Sequence, residues 1–307
     1  IHIHFSTNGT IINNRVKEIL TKIFKYELAE TIQISLDGPA NIQNLHRKTI
    51  DGKNTFDSVM KFIEMLNDIQ NELGIKHRLY TINGVIELND KTPKLFVECA
   101  KWFSDKDCPV HSRIIPIRIE NSPKYDKKYV EIFVETMKNF YEFAKDYYNS
   151  TGLGIIDHYS SKLFLDTSRI DGCVNCSAMR TQIAIDIDGS LYMCHGPITI
   201  SSIKPYVQFG NIIDGYIDFS ALISNIDYIS SDKIYSSICK NCELILDPDV
   251  TGLLCHNCPI NNLINNKNSI GYNYFMCMAY KNSFKYFKEI AKIYKKSEEN
   301  IINEYNG

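Results

Sequence analysis

Ile32-Gln33-Ile34-Ser35-Leu36-Asp37-Gly38-Pro39 alternates apolar and polar residues and then stops at a Gly-Pro break, so it reads as a strand over 32–36 closed by a turn. A long polar loop follows. From about Thr55 the residues Phe56, Val59, Ile63, Leu66 and Ile69 recur at helical spacing, with Thr55 placed to cap the N–H groups of the first turn. Strand, loop and one-faced helix together make a βα unit, the building block of a parallel sheet or barrel.

The same pattern flanks this unit on both sides. A strand over 1–6 leads through Asn8-Gly9 into a helix with Val16, Ile19, Leu20 and Ile23 on one face. A strand over 78–83 precedes a helix near 93–103, and a strand over 110–116 precedes a long helix carrying Val130, Phe133, Val134, Met137, Phe140, Tyr141 and Ala144. In folds of this kind the functional loops gather at the C-terminal ends of the strands. Thr7-Asn8-Gly9, Ser35-Leu36-Asp37-Gly38, Asn83-Gly84 and residues 114–117 are therefore expected on one face.

The second half is organised differently. Residues 173–277 hold eight of the ten cysteines: Cys173-x2-Cys176, Gly189-x4-Cys194, Cys239-x2-Cys242, Cys255-x2-Cys258 and Cys277. Two residues between cysteines let one tight turn aim two thiolates at one metal, and eight thiolates fill two four-cysteine sites. Thiolate-only sites select zinc or iron–sulfur clusters, and the spacing does not choose between them. A disulfide framework belongs to short secreted chains, whereas this one has 307 residues, 44% of them hydrophobic, and no signal-like start. Runs over 183–187 and 191–194 around Asp188-Gly189 predict a β-hairpin that delivers Cys194 from a strand. On that strand Cys194 and His195 would point to opposite faces. Cys99 and Cys108 are expected as core thiols.

A formal charge of −2 from 34 basic and 36 acidic residues leaves no nucleic-acid footprint, and no apolar run is long enough for a membrane span. A reducing cytoplasm is the expected compartment. The chain opens on Ile1 inside an apparent strand and without Met, so a missing N-terminal part is expected.

The stretch Ile34-Ser35-Leu36-Asp37-Gly38-Pro39, followed by His46-Arg47, Asp51-Gly52 and Thr55-Phe56-Asp57, resembles the fourth-strand region of radical S-adenosylmethionine (SAM) enzymes. Thr7-Asn8-Gly9 looks like the end of their third strand. The cysteine region resembles the SPASM domain of the same proteins. The resemblance implies an α/β fold in which 1–150 are the C-terminal part of a partial (β/α)6 radical SAM barrel. Residues 151–307 would be a small cysteine-rich SPASM domain with a β-hairpin and a C-terminal helix.

The resemblance also implies two auxiliary [4Fe–4S] clusters, one on Cys173, Cys176, Cys194 and Cys258 and the other on Cys239, Cys242, Cys255 and Cys277. It implies SAM held by Ser35 and Arg47, with Asn8 and Asp37 lining the cofactor site; an arginine fork suits the methionyl carboxylate. The family's catalytic cluster sits on a Cys-x3-Cys-x2-Cys loop, and this sequence contains no such triplet. That [4Fe–4S] cluster is expected in the missing N-terminal part, and the chain by itself is expected to be inactive. The implied parent is an oxidoreductase that modifies a peptide or protein substrate and draws electrons from a donor such as ferredoxin or flavodoxin.

Tyr192-Met193-Cys194-His195-Gly196 with Phe209-Gly210-Asn211-Ile212 looks most like maturases of ribosomally made peptides. Anaerobic sulfatase maturases are the alternative; they carry an aspartate base directly after the cysteine, where this chain has His195, its candidate base. A zinc-ribbon binding module is the non-enzymatic alternative.

Overall fold

The computed structural model describes residues 3, 5–105, 110–113, 127–154, 183–199, 203–228 and 274–306. The chain divides into two compact units. One is Ile1–Ile119 with Lys127–Ser161 and Lys285–Gly307; the other is Glu120–Asp126 with Lys162–Phe284. The first unit thus takes residues from both ends of the chain.

The first unit is built on four parallel strands in sequential order: β1 (Ser6–Thr7), β2 (Ile32–Ser35), β3 (Tyr80–Val85) and β4 (Val110–Arg113). Helices fill every crossover. They are α1 (Asn14–Lys25) before β2, α2 (Ala40–His46) and α3 (Phe56–Leu73) before β3, and α4 (Thr92–Asp105) before β4; α5 (Lys127–Thr151) follows. Alternation explains the layering. Ile32, Ile34 and Ile82 are fully buried, and α3 supplies Val59, Leu66 and Ile69 at 0% exposure. Each such apolar side chain contributes about 1.5–3 kcal/mol by leaving water. Phe96 and Phe140 meet edge to face at 5.1 Å and join α4 to α5. The intervening residues, Gln33, Ser35, Thr81 and Asn83, are half-buried on the other face of the sheet.

Two local expectations are corrected. The loop after Pro39 is not wholly irregular, since residues 40–46 form α2. Thr55 precedes α3 but makes no side-chain cap. Asn44 of α2 caps it instead, its Oδ1 accepting from the N–H groups of Thr55 and Phe56 at 3.1 Å each.

The described part of the second unit is an antiparallel sheet of β5 (Ala184–Ile185), β6 (Ser190–Tyr192), β7 (Gln208–Asn211) and β8 (Tyr216–Ile217). α6 (Lys204–Val207) leads into β7, and α7 (Phe219–Tyr228) follows β8. The hairpin is where the sequence placed it. Its turn needs Gly189, whose φ is +83° and whose added Cβ would lie 2.7 Å from Asn211 Oδ1. The final helix, α8 (Tyr274–Asn306), belongs to the first unit from Lys285 onward. There Phe287, Ile290 and Ala291 are buried, and Ser297 Oγ accepts from Gly154 N–H at 2.7 Å.

Candidate functional site

At the C-terminal end of β2 the backbone passes from Ser35 through buried Leu36 to Asp37, which is only 4% exposed. Register sets Ser35 against Asn83 of β3. Leu36 N–H donates to Asn83 O at 3.1 Å, so the two strand ends stay together past the ladder.

Every polar atom of Asp37 is engaged. Its Oδ2 accepts from Arg47 Nε at 2.6 Å and its Oδ1 from the Val85 N–H at 2.8 Å. Its N–H donates to Gln43 Oε1 at 2.8 Å, and its carbonyl accepts from the Cys99 thiol at 3.1 Å. Gln43 Nε2 donates to Thr55 Oγ1 at 3.3 Å, and that hydroxyl donates to Arg47 O at 2.7 Å. Asp37 was expected to line the cofactor site. Its carboxylate engages the Arg47 guanidinium and the Val85 N–H, and so it fixes Arg47.

Arg47 is held on one edge only. Its side chain is 28% exposed, and its two terminal nitrogens take no partner among the described residues. Ser35 Oγ likewise takes no partner among the described residues. Asn8, at the end of β1, uses its Oδ1 on its own turn, accepting from Thr10 N–H at 3.2 Å and Thr10 Oγ1 at 2.9 Å. Residues 114–117 of the expected face lie outside the described residues.

Asn83, on the face the sequence predicts to be functional, carries a feature the sequence does not show. Asn83 Oδ1 is buried and has no hydrogen-bond partner among the described residues. Ser35 Oγ, the Arg47 terminal nitrogens and Asn83 Oδ1 are thus uncommitted polar atoms brought to adjacent strand ends by the register and by the Asp37 tie. A hydroxyl, a guanidinium fork and a carbonyl acceptor suit the mixed donors and acceptors of an aminocarboxylate or a nucleoside, as the expected SAM requires.

In the second unit Cys194 is half-buried and His195 exposed. β6 ends at Tyr192, and His195 instead opens a 3-10 turn over Gly196–Thr199, its carbonyl accepting from Ile198 N–H at 3.1 Å. The strand argument that set Cys194 and His195 on opposite faces therefore lapses. Cys277 is half-buried on α8, while Cys173, Cys176, Cys239, Cys242, Cys255 and Cys258 lie outside the described residues, as does Cys108. Cys99 is fully buried, and that burial pushes its thiol pKa far up, as a core thiol requires. Among the described residues no three His, Cys, Asp or Glu side chains gather as a metal site.

No family model matches the chain. Its sequence is similar to cysteine-type anaerobic sulfatase-maturating enzymes of Clostridium perfringens. It is 25% identical over 201 residues to that of strain ATCC 13124 and 24% identical over 251 residues to that of strain 13. These cover 63% and 79% of this chain, which spans 50% and 62% of those relatives. Among solved structures, native anSMEcpe with bound AdoMet and a Cp18Cys peptide superposes with TM-score 0.67 at 21% identity. That match covers 96% of this chain and 76% of the other. AdoMet-bound native anSMEcpe without peptide matches equally well, with TM-score 0.67. The chain therefore has the α/β fold of these AdoMet-bound structures and is similar in sequence to anaerobic sulfatase-maturating enzymes.

Proposed function

We propose that the chain is the SAM-binding and SPASM portion of a radical SAM maturase of the anaerobic sulfatase-maturating type, acting on a peptide or protein substrate. The sequence similarity to two such maturases supports this reading best, and it moves the sulfatase-type alternative ahead of the ribosomal-peptide maturase. Ser35 and the terminal nitrogens of Arg47 would hold SAM by its polar groups, with the Arg47 fork on the carboxylate. Bound to a reduced cluster, SAM supplies the family's source of a 5′-deoxyadenosyl radical. What this chain's residues do is orient that ligand: the Asp37 carboxylate pins Arg47 Nε and leaves the terminal nitrogens uncommitted among the described residues.

The partial (β/α)6 barrel, the SPASM domain with its division at about residue 150, and the two auxiliary clusters on the eight cysteines belong to the same proposal. So do a ferredoxin- or flavodoxin-type electron donor and a cytoplasmic setting. No helix among the described residues is long and apolar enough to cross a membrane. A second reading, the ribosomal-peptide maturase, keeps one specific support: His195 stands where the resemblance places an aspartate base. Histidine suits a base role because its ordinary pKa lies near neutrality.

Anaerobic reconstitution tests the proposal. A brown protein with about eight irons and eight sulfides per chain is expected for two four-iron clusters. Stoichiometric zinc without sulfide would leave the zinc-ribbon module. Lacking a Cys-x3-Cys-x2-Cys triplet, the chain is expected to bind SAM and not to cleave it. Binding of a sulfatase-type peptide with a central cysteine, in preference to a cysteine-rich peptide, would separate the two maturase readings.

A further inference from the structure

Asn83 is the one polar side chain at the strand ends whose buried atom nothing described in the protein satisfies. Buried acceptors without a partner are rare in folded proteins and destabilising, so each one points to a group supplied from elsewhere. Its position specifies where. Asn83 stands on the half-buried polar face of β3 between inward-facing Ile82 and Gly84, directly across from Ser35. Two residues on, Val85 N–H is bound by the same Asp37 carboxylate that pins Arg47. The C-terminal end of β2 and β3 therefore presents two kinds of donor, the Ser35 hydroxyl and the Arg47 guanidinium, and one acceptor, Asn83 Oδ1.

We propose that Asn83 Oδ1 accepts a hydrogen bond from an N–H of the ligand bound at this strand end. This rests on the reading of that ligand as SAM. SAM has two such donors, the α-ammonium of its methionyl part and the 6-amino group of adenine. Neither Ser35 nor Arg47 supplies an acceptor of this strength: a guanidinium accepts nothing, and a hydroxyl used as a donor offers only a lone pair. Asn83 completes the set, and it distinguishes ligands that carry the amine from those that do not.

Titration calorimetry on the reconstituted chain, with SAM, 5′-methylthioadenosine and 5′-methylthioinosine as probes, tests this alongside thermal melting without ligand. Asn83→Leu keeps the shape and removes the acceptor; Asn83→Asp keeps the acceptor. The Leu variant is expected to bind SAM about tenfold more weakly while melting at the native temperature or above, because an unsatisfied buried group is gone. The Asp variant should bind within about threefold of native. If the Leu variant also loses methylthioadenosine, and native protein prefers it to methylthioinosine, the donor is the adenine amine. Loss confined to SAM assigns the ammonium. Unchanged SAM affinity in the Leu variant overturns the role of Asn83 and leaves the SAM site standing. A Leu variant that melts well below native overturns it too, since the acceptor would then be satisfied within the protein. Native protein that binds none of the probes overturns the SAM reading, and the assignment of Asn83 with it.

Discussion

At Asp37 one carboxylate is divided between a backbone N–H of the next strand and the guanidinium of Arg47, and its own N–H and carbonyl are held by Gln43 and Cys99. Replacement by Asn offers Arg47 Nε an acceptor on one side only and a competing donor on the other. Asp37→Asn is expected to weaken SAM binding about tenfold and to leave 5′-methylthioadenosine, which has no carboxylate, nearly unaffected; calorimetry with both probes reads the difference. Equal loss for both would mean that the strand end itself had collapsed. The neighbouring Gly38 is fixed by two independent demands: its φ is +148°, and an added Cβ would lie 2.6 Å from Cys99 Sγ. Gly38→Ala should cost about 2 kcal/mol or more in denaturant unfolding. Adding Cys99→Ala should recover part of that loss by removing the sulfur, while the backbone strain remains. Strict additivity of the two changes would show that the sulfur is not what excludes a side chain at residue 38.

The elements show how short pieces of chain are stabilised from outside themselves. α3 takes its N-terminal cap from Asn44 of α2, so Asn44→Ala is expected to cost about 0.5–2 kcal/mol, while Thr55→Ala acts through Arg47 O and Gln43 rather than through the cap. Comparing the urea midpoints of the two variants, with SAM affinity alongside, separates these roles; only Thr55→Ala should alter binding. In the β5–β6 hairpin, half-buried Asp186 accepts from Lys204 Nζ at 2.6 Å. That bond first, and the Ile187 N–H second, hold the Asp186 carboxyl below its ordinary pKa, while Asp186 raises that of Lys204. The stabilisation from the lowered Asp186 is present above the ordinary aspartate range and is lost as pH falls through the lowered value. That from Lys204 is lost only as pH rises past the ordinary lysine range through its raised value. Lys204→Met is therefore expected to melt below native at neutral pH, with the gap closing as the medium is acidified through the aspartate range. A gap independent of pH would locate the effect of Lys204 in packing rather than charge.

For the molecule as a whole, the C-terminal part of α8 belongs to the unit built from the beginning of the chain. Phe287 lies 6.4 Å from Phe133 between ring centres, and Ser297 takes the Gly154 N–H. A chain ended after Phe284 would expose the surface that Phe287 and Ile290 cover, at about 1.5–3 kcal/mol for each lost side chain. Hydrogen exchange is expected to accelerate in residues 127–154 while the β5–β8 sheet keeps its protection. Unchanged exchange in α5 would overturn this account of the helix. The sequence alone determined the βα succession, the hairpin around Gly189, the core stripes of α3 and α5 and the buried Cys99, because each is written in residues a few positions apart. Periodicity and turn chemistry need no distant partner. Only the tertiary structure decided that Asp37 ties Arg47 to the end of β3, that Asn44 and not Thr55 caps α3, that Asn83 carries an unsatisfied acceptor among the described residues, and that the last helix returns to the first unit. Those outcomes depend on groups far apart in the chain meeting across a crossover, Asp37 with Val85 and Gly154 with Ser297, and no local pattern encodes which of several polar side chains will be the one to arrive.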